Sequence, residues 1–104
     1  MNTDSKILVP LTDDFFRAFV GKEFRVFGAQ PPFSFHLADI KTYPRIIKGL
    51  RQPFTLIFFG PPGLMLPEGT YVLETDGQPG LPIHVQPMND VPGVPGRPYQ
   101  AQFN

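Results

Sequence analysis

The fold is decided by the stretch FTLIFFGPPGLMLPEGTYVLE, residues 54–74. It begins with Phe54–Phe59, which is apolar on both faces apart from Thr55, as in a strand covered on both sides. The Pro-Pro pair that follows ends this strand, because proline has no N–H to donate to a sheet. After a loop, Thr70–Glu74 alternates between apolar and polar residues. The stretch therefore predicts two strands joined by a proline-rich connection.

Similar strands are predicted on both sides of this stretch. Alternation is clearest in residues 33–39, where Phe33, Phe35 and Leu37 face one way and polar or small residues face the other. Further strands are predicted at residues 22–27, 81–87 and 99–103. Their inward residues are expected to be Phe24, Ile83, Val85, Tyr99, Ala101 and Phe103, with Tyr71 and Leu73 inward in the 70–74 strand.

The connections carry strong turn signals. Asp76-Gly77 predicts a tight hairpin between the fourth and fifth strands. Residues 87–98 contain four prolines and two glycines, which predicts an irregular loop. Pro82 and Pro87 predict that the fifth strand lies at the edge of the sheet, because edges tolerate proline.

One helix is predicted near the start of the chain. Thr12 is a suitable N-cap, and Gly21 is a suitable stop. The apolar residues between them recur at spacings of three and four and are expected on one face: Phe15, Phe16, Phe19 and Val20. The sequence therefore predicts an all-β fold, a small antiparallel barrel or sandwich of about six strands with one short N-terminal helix.

Composition limits the protein to a few classes. The 104 residues fit one domain, 1–104, and 41% of them are hydrophobic, including eleven Phe, so extensive disorder is excluded. Nine basic and nine acidic residues give no net charge, which argues against nucleic-acid binding. The absence of cysteine removes disulfides, thiol nucleophiles and cysteine-based metal sites.

No targeting or spanning segment is recognised. The densest apolar run, Leu56–Phe59, is far shorter than the ~20 residues that cross a bilayer, so no membrane span is predicted. The start of the chain does not resemble a signal peptide. We therefore expect the protein to be cytoplasmic, or to be part of a secreted or phage-like assembly that needs no signal peptide.

Residues with catalytic or metal-binding chemistry are few. Ser34 and His36 share a strand face, but neighbours two apart rarely form the hydrogen bond of a catalytic pair, so polar surface residues are the favoured interpretation. A metal site would need His36, His84 and a carboxylate such as Asp39 together, and nothing in their spacing indicates this. We predict no catalytic residue, no cofactor and no metal.

Two loops contain candidate interaction residues. Leu64, Met65 and Leu66 are large apolar residues in a turn region, and they either fold back on the core or form an exposed contact surface. The second loop, residues 42–51, offers Tyr43 and Arg45, which are residue types favoured at interfaces. Inward packing of its aliphatic residues is the alternative for this loop.

Several motifs resemble a family of small uncharacterised bacterial proteins, the DUF6916 family. These are FTLIFFGPP (54–62), LPEGTYVLE (66–74) and the terminal YQAQFN (99–104), together with the spaced Leu-Thr and Val-Gly pairs at 11–12 and 20–21. The chain departs from the family pattern at residues 63–65, where members often have polar residues or proline. It also departs at 88–98, where they have a shorter and more polar loop.

The resemblance implies no catalytic site, because the family has no established activity. Members accompany proteins with phage-tail-collar-like domains, which implies a role in a tail-like or fibre assembly. We predict a non-enzymatic structural or protein-interaction module, an accessory of such an assembly, with a protein partner or self-association. The alternative is a small-molecule or peptide-binding barrel with an aromatic pocket.

Overall fold

Six strands and one short helix form the described part of the protein. The structure is a computed structural model that describes residues 11–43 and 53–103. The elements are α1 (Asp13–Arg17), β1 (Glu23–Val26), β2 (Ser34–Thr42), β3 (Phe54–Phe59), β4 (Gly69–Thr75), β5 (Gln78–Pro87) and β6 (Pro98–Phe103). The predicted strands are all present, and β2, β4 and β5 are longer than the sequence indicated. The start of the chain and most of the 42–51 loop lie outside the described residues.

The strands close into an antiparallel barrel in the order β1-β2-β3-β6-β5-β4. The fold is thus the barrel, rather than the sandwich, of the two predicted alternatives. Strand β3 pairs along its whole length with β2 and with β6, and β4 pairs closely with β5. In the described residues, by contrast, β1 meets β4 at two register pairs, and β5 meets β6 at two. The barrel therefore consists of a four-stranded sheet and the β4–β5 hairpin, joined at two short seams.

The prediction that the fifth strand lies at an edge is wrong. Strand β5 lies between β4 and β6. Pro82 is tolerated because it lies opposite Val72, whose carbonyl points away from β5 and accepts a hydrogen bond from the Phe27 amide at 2.9 Å. The pair between Val72 and Pro82 is therefore one that needs no N–H from the proline. Pro87 lies at the last position of the strand.

Alternation along the strands builds the core, as predicted. The buried apolar side chains on the barrel strands and their connections are Phe24, Val26, Phe33, Phe35, Leu37, Phe54, Leu56, Phe58, Leu73, Ile83, Val85, Tyr99 and Ala101. Rings dominate its centre, with Phe35 and Tyr99 edge to face at a centroid distance of 4.8 Å. Side chains thus fill the inside of this small barrel.

Helix α1 covers one end of the barrel. Thr12 caps it, since its hydroxyl accepts a hydrogen bond from the Phe15 amide at 3.1 Å. Phe16 is fully buried against Phe54 and Phe103, whose rings stack 4.7 Å apart. Val20, which was expected on the packed face, is exposed because the helix already ends at Arg17. In the described part of the chain, no helix is long and apolar enough to cross a membrane.

Candidate interaction groove

The end of the barrel opposite α1 is closed by the loop after β3. Gly60 begins this loop and is packed tightly: a Cβ there would lie 2.9 Å from the Phe33 ring and 3.0 Å from the Tyr99 ring. Only glycine fits without displacing one of these rings. The loop therefore leaves β3 directly over the aromatic core.

Two tyrosines anchor the loop at its far side. The hydroxyl of buried Tyr99 accepts a hydrogen bond from the Leu66 amide at 3.0 Å. The hydroxyl of Tyr71 donates to the carbonyl oxygen of Pro67 at 2.7 Å. The part of the loop that faces solvent is therefore held in place at residues 60, 66 and 67.

This anchoring decides between the two interpretations of the apolar loop residues. Leu66 is half-buried and packs against the core. Leu64 and Met65 are exposed, with 41% and 56% of their surfaces accessible. The loop thus contributes one residue to the core and presents the other two on the surface.

An exposed aromatic residue lies across from this loop. Phe27 directly follows β1, and its exposure of 67% is the highest among the large hydrophobic residues that the structure describes. It points outward because the neighbouring Phe24 and Val26 are buried and residues alternate along a strand. Phe27 was not among the residues predicted to interact, although its parity in the strand was a signal that could have identified it. Gly28, with φ of +77°, turns the chain directly after it.

Together the two loops enclose an apolar groove of about 380 Å³. Its walls are Val26, Phe27, Gly28, Ala29, Gln30, Pro31, Phe33, Leu64, Met65, Leu66 and Tyr71. None of these side chains carries a charge at neutral pH. A groove of this size, aromatic and aliphatic with few polar groups, is typical of binding sites for uncharged ligands or side chains.

Tyr43, which was also predicted as an interaction residue, does not line this groove. Tyr43 follows β2, whose Thr42 pairs with Phe54 at the α1 end of the barrel. It is partly exposed, and its hydroxyl lies 3.1 Å from the Thr55 hydroxyl. Arg45 lies outside the described residues. The structure therefore brings Leu64, Met65 and Leu66 together and places Tyr43 at the opposite end.

A polar network lies on the outer face of the β4–β5 hairpin. His84 Nε2 is 3.0 Å from Glu68 Oε2, and its Nδ1 is 3.2 Å from the Thr70 hydroxyl. Gln86 donates to the same Glu68 oxygen at 3.4 Å. The hydrogen bonds from His84 and Gln86 hold the pKa of Glu68 below its ordinary value. This network ties the start of β4 to β5.

On the strand face that holds Ser34 and His36, the histidine contacts a glutamate of the neighbouring strand. His36 Nδ1 lies 2.9 Å from Glu23 Oε2, on the neighbouring strand β1. Both side chains are about half exposed. A shallow cleft of about 570 Å³ passes over this face and is lined by Glu23, Ser34, His36, Phe59, Gly60, Pro61, Val94 and Pro95. Within residues 11–43 and 53–103, no three His, Asp or Glu side chains are placed to hold a metal ion.

Comparison with models of protein families identifies the family of this chain. Residues 11–103 match the model of a domain of unknown function, DUF6916. Neither the curated proteins nor the solved structures gave a significant match to this chain. The match covers nearly the whole chain, including every strand of the barrel and both walls of the groove. The chain therefore belongs to the DUF6916 family.

Proposed function

We propose that this barrel is a non-enzymatic structural or protein-interaction module and that its contact surface is the groove between the β1–β2 and β3–β4 loops. The observation that carries the proposal is the exposure of Phe27, Leu64 and Met65 on the two walls of one uncharged groove. Exposed apolar side chains lower the solubility of a protein. When they cluster around a concavity, they usually mark a binding surface.

The anchoring of the loop supports the same function. Tyr99 and Tyr71 hold the wall that carries Leu64 and Met65 before any partner arrives. A preformed surface binds with a smaller loss of conformational entropy than a loop that must become ordered. We also propose a role in a phage-tail-like or fibre assembly, inside the cytoplasm or in a secreted particle. This part of the proposal rests on the family resemblance alone.

A pull-down with matched variants tests this function. The tagged protein is used as bait in native lysate and compared with the double variant Leu64→Ala/Met65→Ala. The control is Val91→Ala/Val94→Ala, which removes two side chains of similar exposure from another loop. We expect wild type and control to capture the same stoichiometric partner and the groove variant to lose at least about tenfold of it.

The outcome also decides the assembly role. A tail or fibre protein among the partners would support it. Equal capture by both double variants, or capture of nothing where candidate partners are expressed, would contradict the use of this groove as a protein-binding surface.

The second candidate function is the binding of a small apolar molecule or a peptide. The aromatic walls formed by Phe27, Phe33 and Tyr71 favour it, and so does a volume within the usual ~300–1,000 Å³ of ligand sites. A saturable rise in melting temperature with an apolar ligand, lost in the Leu64→Ala/Met65→Ala variant, would select this function. No shift with any apolar compound would reject it.

A further inference from the structure

We propose that the groove is occupied by a second copy of this chain, so that the protein forms a twofold-symmetric dimer through the surface that surrounds Phe27. This inference rests on the proposed function, because it names the partner of the same groove. The first support is the shape of the surface. A dimer of this kind brings identical patches together, so the patch must be complementary to itself.

Phe27 and the groove supply that complementarity. The Phe27 side chain is two-thirds exposed on the rim of a groove that can receive an uncharged side chain. Val72 extends the patch on the neighbouring strand, where its carbonyl accepts the Phe27 amide and its side chain is exposed. One patch thus contains both an exposed ring and a concavity suited to a ring. Two copies related by a twofold axis would each insert Phe27 into the other.

The absence of charge in the groove restricts its occupant. A charged side chain placed among these walls would lose its hydration and find no opposite charge. The occupant must therefore present an uncharged apolar group. In a second copy of the chain, the exposed Phe27 ring is such a group.

Charges at the border of the patch favour a second copy. Arg25, two residues before Phe27, lies 3.3 Å from Asp76 in the β4–β5 turn, and both side chains are well exposed. Glu74, which pairs with Arg25 in register, adds a second carboxylate to this border. Because the border carries both signs, two identical patches can meet with a cation facing an anion. A border of a single sign would repel its own copy. The net charge of zero likewise leaves no long-range repulsion between copies.

The size of the patch predicts a weak dimer. Stable dimers bury roughly 1,200–2,000 Å² in total. The exposed apolar side chains of this patch are only four, Phe27, Leu64, Met65 and Val72, which is a small surface for such an interface. We therefore expect association to be visible only when the concentration is varied. The test must follow mass against concentration rather than rely on one measurement.

Sedimentation equilibrium of the full chain between about 1 µM and 1 mM tests the dimer. We expect the weight-average mass to rise from 11.7 kDa toward twice that value in wild type. Phe27→Asp should raise the dissociation constant at least about tenfold, because it places a charge in an uncharged groove. The matched control Val91→Asp should associate like wild type. Melting curves of both variants establish that they fold.

A second measurement uses the absence of cysteine from the chain. Met65→Cys provides one thiol beside the groove, and Val91→Cys provides one of similar exposure elsewhere. A flexible bis-maleimide, which does not require the two thiols to lie within disulfide distance, should join two copies of the Met65→Cys protein and leave the Val91→Cys protein largely monomeric. Equal cross-linking of the two would overturn the proposed interface.

The outcomes separate this inference from the proposed function. Wild type that remains at 11.7 kDa up to about 1 mM overturns the dimer. Groove-dependent capture of a different protein would then leave the proposed function standing. A dimer that Phe27→Asp does not weaken overturns the groove as the interface between copies.

Discussion

The hydroxyl of Tyr99 accepts a hydrogen bond from the backbone amide of Leu66, 33 residues earlier in the chain, at 3.0 Å. Tyr99 is fully buried and belongs to β6, whereas Leu66 belongs to the β3–β4 loop. The contact joins the aromatic core directly to the wall of the groove. It explains why this loop keeps a defined shape while two of its apolar residues face solvent.

Replacing Tyr99 by Phe should loosen the loop without disturbing the ring packing. The variant leaves the Leu66 amide without its acceptor, so we expect a loss of about 1 kcal/mol in the free energy of unfolding. Urea denaturation measures this loss, and faster hydrogen exchange at the Leu66 amide locates it. Tyr71→Phe is the control, and its smaller expected loss reflects an exposed hydrogen bond. An unchanged exchange rate at Leu66 would contradict the anchoring role.

Adding a methyl group at Gly60 should strain the same end of the barrel. Gly60→Ala places a Cβ within about 3 Å of the Phe33 and Tyr99 rings, both of which are buried. We expect a destabilisation of about 1–3 kcal/mol, as for other overpacked cores. Gly69→Ala is the matched control because its Cβ would meet Tyr71 at an ordinary 3.6 Å. Equal stability of the two variants in urea would show that the rings can move aside.

Removing the ring that covers the opposite end should be the costliest of these changes. Phe16→Ala takes a fully buried side chain away from Phe54 and Phe103 and leaves a cavity. The expected loss is about 3–5 kcal/mol in the free energy of unfolding. Val20→Ala, four residues later on the exposed turn, should change stability by less than about 0.5 kcal/mol. A small effect at Phe16 would mean that α1 is not a structural part of the barrel.

Acid should remove the contribution of Glu68. Its pKa is lower in the folded protein because His84 and Gln86 hydrogen-bond to the carboxylate. The ionised carboxylate therefore stabilises the fold above the ordinary value of about 4.3, and this stabilisation is lost as the pH falls through the lower, folded value. Urea midpoints of wild type and Glu68→Gln should differ slightly above about pH 5 and converge near pH 3.

The size of this difference should be small, since the carboxylate is exposed to solvent. His84→Ala provides the control, because it removes the first cause of the pKa shift and should reduce the pH dependence. A difference between wild type and Glu68→Gln that stays constant from pH 6 to pH 3 would contradict this account.

The sequence predicted the barrel well where side chains alternate and turns have a clear chemistry. Phe33, Phe35 and Leu37 face inward as their spacing indicated, and Asp76-Gly77 forms the predicted hairpin. It was wrong about Pro82, because the composition of a strand does not reveal which of its N–H groups would face a neighbour. That depends on the register with Val72, which is a property of the paired strands.

The candidate site was predicted only in part for a related reason. Leu64, Met65 and Leu66 were singled out together, yet their burial differs because Tyr99, distant in sequence, anchors Leu66. No local pattern contains that contact. Phe27 was overlooked among many phenylalanines, although strand parity already placed it outside. Tyr43 was grouped with these residues by type, and the fold places it at the other end of the barrel.

The two short seams have a mechanical consequence. The groove lies across the β1–β4 seam, with Val26 and Phe27 on the sheet side and Tyr71 on the hairpin side. A molecule that fills the groove would therefore contact both the sheet and the hairpin and hold them together. Occupancy would appear as slower hydrogen exchange at the amides of the β1–β4 seam. In such a protein, binding would stiffen the junction between the sheet and the hairpin.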